Sequence, residues 1–580
     1  MRAGWTLLLA PFLLLLYLSS ASVQPADYSG DTVVCHVDEI LMPESTEEVS
    51  ILVRDAAERV RQGHHTTIRA SRPQFHSNNQ MACPAVPGAQ VAAEHTLHIH
   101  LSKMNKVFGI DPEKGQVHVG AGMLLKDLLA VMQANGLSFP AMATTNYDSI
   151  SLGGMVANAA HGSHLGGRSF FASNVAIATW VDGQGTVHKS SDLRSVSGGL
   201  GLTGIITELL LQAGPMTKTR VSQHLDPDAD IMARLGPLLE QRVAMQVLWR
   251  PTFHRVYFSI FEELPSTTPS DDARLSLFDT TPEELSKMAT VTNLDQMDVL
   301  NKQKDIYTEA YMREETGWFA TPQGDVPPTQ PVVGWTNAMT AAGCPESRLC
   351  YWNAVKTTLR EVSIPLSDLP EALRDIRAVA DTIEGHLPWG VGVWIRFAGA
   401  SSDWLSTAYG RDSAFIEMCS VQGKGLEHLP MKHQAFYEEV EQLLLCKYQG
   451  RPHYGKSTNR MLTSPCPLHW RFTLPQFDNF LHERERADPH GLFKPPIFKH
   501  IEQAVEPQSS FYPGCALRGD CYCKEDIHCH AWEGGVNLMR CVKGSVFPEA
   551  RVCVPHDPLA DILGHKGKPE SKVGGQREEL

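Results

Sequence analysis

A chain of 580 residues is long enough for more than one domain. Hydrophobic residues make up 42% and charged residues 20%, an ordinary globular balance with ample material for buried cores. The formal net charge of −14, without any interleaving of aromatic and basic residues, excludes a nucleic-acid surface, which needs basic patches.

The first residues have the pattern of an export signal. Arg2 supplies a charge, 5–18 are apolar, and Ser19-Ser20-Ala21-Ser22 offers a small-residue cleavage site, so residues 1–22 are predicted to be a signal peptide. The run is short for a membrane span, with an uncleaved anchor as the alternative, and no later stretch is long enough to span. Membrane association would rest on that segment. The expected location is the secretory pathway, either the ER lumen or outside the cell. Thirteen cysteines in that setting point to disulfides, with at least one thiol left over or joined to another chain. No N-glycosylation sequon is present.

Residues 23–34 read as a lead-in. Ser45 caps a predicted helix after Pro43, with Glu48 placed as in a capping box and Val49, Leu52, Val53, Ala56, Ala57 and Val60 on one face. A strand over 66–70 leads to Ser71-Arg72-Pro73-Gln74-Phe75-His76-Ser77, where His76 alone reads as a turn histidine. His98-Ile99-His100 alternates as a strand and lacks the carboxylate or cysteine cluster of a metal site. A strand and glycine turn over 116–122 run into an amphipathic helix over 124–135, stopped by Gly136.

Residues 151–163, Ser-Leu-Gly-Gly-Met-Val-Ala-Asn-Ala-Ala-His-Gly-Ser, are mostly small, polar or glycine. Such a backbone can approach a ligand closely, and successive free N–H groups can cradle phosphate oxygens. The stretch is not GxGxxG, and a tight packing turn is the bland alternative. A strand over 174–181, a hairpin signal over 182–187, a second glycine turn over 198–204 and a strand over 205–211 complete this region.

The order of these elements resembles the FAD-binding domain of the vanillyl-alcohol-oxidase class of flavoproteins. Within that class the chain is similar to the sugar-1,4-lactone oxidases, and most to the plant L-gulono-1,4-lactone oxidases. The resemblance implies an α+β fold: a two-lobed FAD-binding domain over 35–215, an antiparallel-sheet substrate domain over 216–500, and a small disulfide-rich module over 510–556. It implies FAD contacts at Gly153, Gly154, Asn158, His161, Gly162, Ser163, Gly201, Gly204 and Ile206. Relatives carry Gly-Gly-His-Ser where this chain has His76-Ser77, so the resemblance implies a covalent histidyl–FAD link at His76, with Ser77 beside the cofactor, although the glycines are replaced.

In the second domain, strands are expected over 243–248 and 254–261, helices over 282–290 and 296–309, a Pro/Gly-rich loop over 321–334, a strand over 362–366 and a helix over 370–383. The strand over 392–397 resembles one that carries Glu-x-Arg in many sugar oxidoreductases. Arg396 matches the arginine; Trp394 stands in the glutamate's place. Arg451-Pro452-His453-Tyr454-Gly455-Lys456 resembles the family's His-Trp-x-Lys sequence. Lys456 would stabilise negative charge on the reduced flavin, and His453 would orient substrate or flavin, or accept the hydroxyl proton. Asp488-Pro489-His490-Gly491-Leu492-Phe493 resembles the class's closing sequence.

Cys515, Cys521, Cys523, Cys529, Cys541 and Cys553 allow 15 pairings, and the segment resembles the cysteine-rich tail of plant gulonolactone oxidases. A zinc site using Cys521, Cys523 and His528 or His530 is the alternative. Residues 557–580 are expected to be disordered and end in Arg-Glu-Glu-Leu, a weak variant of an ER-retrieval signal.

The expected activity is FAD-dependent oxidation of an aldono-1,4-lactone such as L-gulono-1,4-lactone, giving an ascorbate-type product and hydrogen peroxide. The expected partners are a small sugar lactone and oxygen or another electron acceptor. A secreted sugar or alditol oxidase and a non-catalytic binding protein on the flavin fold are the alternatives.

Overall fold

The computed structural model describes residues 37–71, 79–84, 95–277, 279, 282–297, 318–327, 329–343, 355–387, 392–426, 429–463, 466–530 and 539–556. Helix Thr46–Arg61 forms where its capping residues predict it. Ser45 Oγ accepts the Glu48 amide at 3.2 Å, while the Glu48 carboxylate takes the Glu44 amide at 2.8 Å. Val49, Val53, Ala56 and Ala57 bury against Ile68, Leu97 and Ile99 of a small parallel sheet made of Glu39–Leu41, His95–His100 and Thr66–Ser71. Full burial of each valine contributes about 1.5–3 kcal/mol.

The second lobe is a five-stranded antiparallel sheet in the order Val107–Asp111, Gln116–Gly120, Ile205–Gln212, Val175–Val181, Val187–Ser190. Helix Leu125–Ala134 buries Leu125, Leu128, Leu129 and Met132 with that sheet's core. The small-residue stretch, read from sequence as a phosphate cradle or a tight packing turn, forms a short helix at Leu152–Ala157. The closing Asp-Pro-His-Gly-Leu-Phe sequence returns to this domain. Asp488 accepts the Leu492 and Phe493 amides, Gly491 takes φ +68°, and the Ile68 amide donates to Leu492 O at 2.7 Å.

The large sheet has eight antiparallel strands, in the order Val332–Trp335, Lys218–Pro227, Arg255–Leu264, Ala244–Arg250, Val393–Ala398, Ser413–Gly423, Val355–Pro365, Arg451–Pro452. Helices Ile231–Glu240, Leu369–Ala380 and Gln434–Gln442 contribute to one core with Val362, Ile364, Ile395, Phe397, Ile416 and Met418. Because side chains alternate along a strand, Glu361, Trp394, Arg396 and Glu417 project to the opposite face.

Several sequence expectations change here. The 321–334 loop contains strand residues, and Val332–Trp335 is the edge of the large sheet because it pairs with 218–221. The strand expected over 362–366 begins at Val355. Strand Ser413–Gly423 and helix Gln434–Gln442 were not anticipated: both are buried along nearly their whole length, polar residues included. His76, Ser77 and the 557–580 tail lie outside the described residues, as does most of the 296–309 segment.

The cysteine-rich module contains Cys515–Cys521, Cys523–Cys541 and Cys529–Cys553 disulfides, and Cys446–Cys466 is a fourth. The zinc alternative falls, since those sulfurs are bonded to each other. Cys419 is free and buried. Among the described residues no helix is long and apolar enough to cross a membrane.

Candidate active site

A cleft of about 170 Å³, partly open to solvent, runs between the two lobes. Gly153, Gly154, Asn158, Gly201, Gly204 and Ile206 line it. The glycines present bare backbone. A Cβ on Gly201, at φ +69°, would meet only Gly204 O at 3.9 Å and so would project into open space. The Leu152 and Gly153 amides are already committed to the Met123 and Ala121 carbonyls, so they are not free to cradle a phosphate.

Arg69, which sequence reasoning passed over, also lines the cleft. Its guanidinium donates to Phe493 O at 2.9 Å and Leu200 O at 3.2 Å, and its Nε has no hydrogen-bond partner. Burial lowers its pKa to about 10. A half-buried cation satisfied only by carbonyls fits an anionic diphosphate. The donor set therefore fits FAD, which Arg69 and the glycine backbones would hold.

His161, Gly162 and Ser163 do not line this cleft. Gly162 is needed because a Cβ there would lie 1.9 Å from Met142 O. Ser163 Oγ donates to Met245 O and accepts the Phe397 amide at 3.0 Å, so it pins the FAD domain to two strands of the large sheet. The His161 side chain meets a charged cluster instead.

That cluster begins where the cleft ends, at Tyr454 and Gly455. Lys456 Nζ lies 2.9 Å from Glu361 Oε2 and 2.9 Å from Glu417 Oε2. Arg396 Nη1 lies 2.7 Å from Glu417 Oε2 and 3.4 Å from Glu361 Oε2. His161 Nε2 is 2.8 Å from Glu361 Oε1, with His453 Nε2 at 3.9 Å. The strand and the motif are also joined through backbone: Glu361 N donates to Lys456 O, and His453 N to Glu361 O.

Burial by itself would raise the Glu361 carboxyl, but the charge of Lys456 first, then the neighbouring His161 and His453 rings, hold it well below the ordinary value. Hydrogen-bond geometry then fixes the imidazoles. A carbonyl only accepts, so the 2.9 Å contact of His161 Nδ1 with Gly162 O needs an N–H. Its Nε2 lies 2.8 Å from Glu361 Oε1, so the ring bridges the Gly162 carbonyl and the buried carboxylate. His453 Nδ1 accepts the Gly455 amide at 3.1 Å, so this ring is neutral with its hydrogen on Nε2. Lys456 and Arg396 face Glu361 and Glu417, with His161 and His453 beside them.

Sequence reasoning found Lys456, His453 and Arg396 but missed Glu361 and Glu417. The available signal was a charge inside a buried strand: Glu361 and Glu417 are 0% and 6% exposed amid apolar neighbours. Trp394 packs on Trp318, with ring centroids 4.8 Å apart, and Arg396 lies 5.6 Å over the Trp394 ring. This aromatic wall borders the carboxylates.

Residues 211–501 match the model of the D-arabinono-1,4-lactone oxidase family, residues 37–191 that of an FAD binding domain, and residues 512–555 that of the L-gulonolactone oxidase 2-like C-terminal domain. This chain belongs to the D-arabinono-1,4-lactone oxidase family.

Like other members of the family, it is an FAD-dependent oxidoreductase. It is 25% identical over 565 residues to L-gulonolactone oxidase 3 of Arabidopsis thaliana, covering 90% of each chain. It is 23% identical over 576 residues to L-gulonolactone oxidase 2 of the same plant, covering 92% of this chain and 91% of that one. Cholesterol oxidase from B. sterolicum shares the fold, with a TM-score of 0.61 at 16% identity, over 82% of this chain and 96% of that chain.

Proposed function

We propose that the enzyme oxidises an aldono-1,4-lactone of the L-gulono-1,4-lactone kind at its C2 hydroxyl, giving a 2-keto lactone that tautomerises to an ascorbate-type enediol. The lactone loses two electrons and two protons, and oxygen takes both pairs to become hydrogen peroxide. Bound FAD would supply the hydride acceptor and the route for the electron pair to oxygen.

The observation that supports this reading is the cluster of Lys456, Arg396 and His161 at the end of the FAD cleft. Lys456 and Arg396 place positive charge where negative charge develops, in a site shielded from water. His453 serves as an orienting donor. Accepting the hydroxyl proton does not suit it, because Nδ1 already accepts the Gly455 amide and Nε2 carries its hydrogen. Glu417 and Arg396, beside the Trp394 wall, are the polar groups suited to lactone hydroxyls.

The secretory location belongs to the same reading, supported by the apolar leader and by four disulfides among the described residues. So does a covalent link from His76 to the flavin. The deciding experiment uses protein purified from a secretory host, with its visible spectrum, acid precipitation and peroxide release on aldonolactones and alditols. Peroxide from L-gulono-1,4-lactone supports the reading. Turnover of alditols alone transfers it to the sugar-alcohol alternative, and no bound flavin after reconstitution sinks it. Yellow colour in the acid pellet supports the His76 link; colour in the supernatant removes it.

A further inference from the structure

The cysteine-rich module packs directly behind the charged cluster. Arg360 and Glu361 are neighbours on one strand, so their side chains leave opposite faces of the sheet. Glu361 enters the cluster; Arg360 enters a buried polar network under the module. There the Arg360 guanidinium meets the Glu441 carboxylate at 2.5 Å. Arg460, four residues beyond Lys456, grips the same carboxylate at 2.8 and 2.9 Å through Nε and Nη2.

The module closes this network. Tyr522 donates its hydroxyl to Glu441 Oε2 at 3.1 Å, and its ring lies 4.9 Å from the Arg460 guanidinium. Arg460 Nη1 donates to Ala516 O at 2.9 Å and to Glu438 Oε1 at 3.0 Å, while Glu438 Oε2 accepts the Cys553 amide at 2.6 Å. Glu439, on the same helix, takes the amides of Ser545, Val546 and Phe547. Arg460 and Glu441 side chains are both 0% exposed. Without the module these buried charges would face water, where ion pairs are far weaker.

We propose that the module is a clamp for the active-site charges: Glu441, sealed by Tyr522, holds Arg360 and Arg460, and through them fixes where Glu361 and Lys456 stand. Glu441 and Tyr522 are positioning residues; neither touches the cleft. This rests on the assignment of Lys456 and Glu361 to the reaction site. It gives the disulfides a role in catalysis, since they hold together the segments that carry Ala516, Tyr522 and Cys553.

The test compares flavin-loaded wild type with Tyr522→Phe, Glu441→Gln and Lys524→Ala. Lys524 pairs with Glu506 on the module's surface, so its variant is the control. Tyr522→Phe removes one hydroxyl from a packed ring and is the variant expected to fold if Glu441→Gln does not. The readouts are kcat and KM separately, the acid limb of the pH profile, and the midpoint potential of the bound flavin. With flavin content unchanged, Tyr522→Phe should lower kcat about tenfold, a coupling common in buried networks, with little change in KM. It should also move the acid limb to higher pH and lower the flavin potential, while Lys524→Ala matches wild type. A merely structural module would change yield or melting temperature and leave the limb and potential in place; that result overturns the clamp. The potential is read without substrate, so the clamp is tested even if no lactone turns over.

Discussion

Glu417 stands directly opposite Trp394 in the antiparallel ladder between Val393–Ala398 and Ser413–Gly423. The strand that carries Arg396 lacks the glutamate two residues earlier, yet a carboxylate reaches the arginine from the next strand, at 2.7 Å. Restoring the missing residue should therefore harm the enzyme. Trp394→Glu would set like charges across the ladder and remove a ring packed on Trp318. Lower melting temperature and lower turnover are expected, measured by thermal scan and peroxide release; a gain in turnover would contradict this geometry.

Lys456→Met removes the cation between the two carboxylates. Losing one preorganised electrostatic contact should lower kcat by about 10²–10³-fold. The visible spectrum should show flavin still bound, because the FAD cleft is lined by other elements. Steady-state kinetics on flavin-normalised enzyme gives the answer.

Glu361 makes the cluster pH-sensitive from the acid side. Its folded pKa is depressed, so its contribution to stability is fully present above the unfolded value and lost as pH falls through the folded one. Melting temperature should fall below about pH 4, near the unfolded glutamate pKa. Glu361→Gln leaves Lys456, Arg396 and His161 with one carboxylate between them, which should cost about 3–5 kcal/mol by denaturant titration. That variant should also lose the acid dependence attributable to this site.

Asp403 gives the opposite sign. Burial, against a hydrogen bond from Ser197 at 2.6 Å, raises its pKa to about 6. Below the unfolded value the group is protonated in both states and carries no penalty. As pH rises from about 4 to 6 the unfolded chain releases the proton first, so stability falls, then levels off. Asp403→Asn should flatten that window in a series of melting curves.

Gly162→Ala places a methyl carbon 1.9 Å from the Met142 carbonyl oxygen, where backbone must move. A loss of about 1–3 kcal/mol is expected. Because Gly162 lies between His161 and Ser163, turnover should fall more than flavin content, which absorbance and peroxide assays separate.

The sequence carried the local features. Ser45 and its flanking glutamates predicted the first helix, and the alternation at 174–181 and 205–211 predicted two strands. The Arg-Pro-His-Tyr-Gly-Lys segment marked Lys456 and His453. Each of these signals lies within a few residues, where capping, alternation and motif spacing act. The six C-terminal cysteines announced disulfides in the same way, but their partners lie 6, 18 and 24 residues apart, so only the fold could choose among the pairings.

The charges were not legible because their partners are distant in the chain. Glu361 meets His161 across 200 positions and Lys456 across 95. Nothing near His161 in sequence says that it meets a buried carboxylate on a distant strand. Strand pairing sets that contact, by placing 361, 394, 396 and 417 on one face of the large sheet. Sequence alone determined that a lysine and a histidine close the FAD region; only tertiary structure decided which carboxylates face them, because side-chain charges meet through register and packing rather than through chain order.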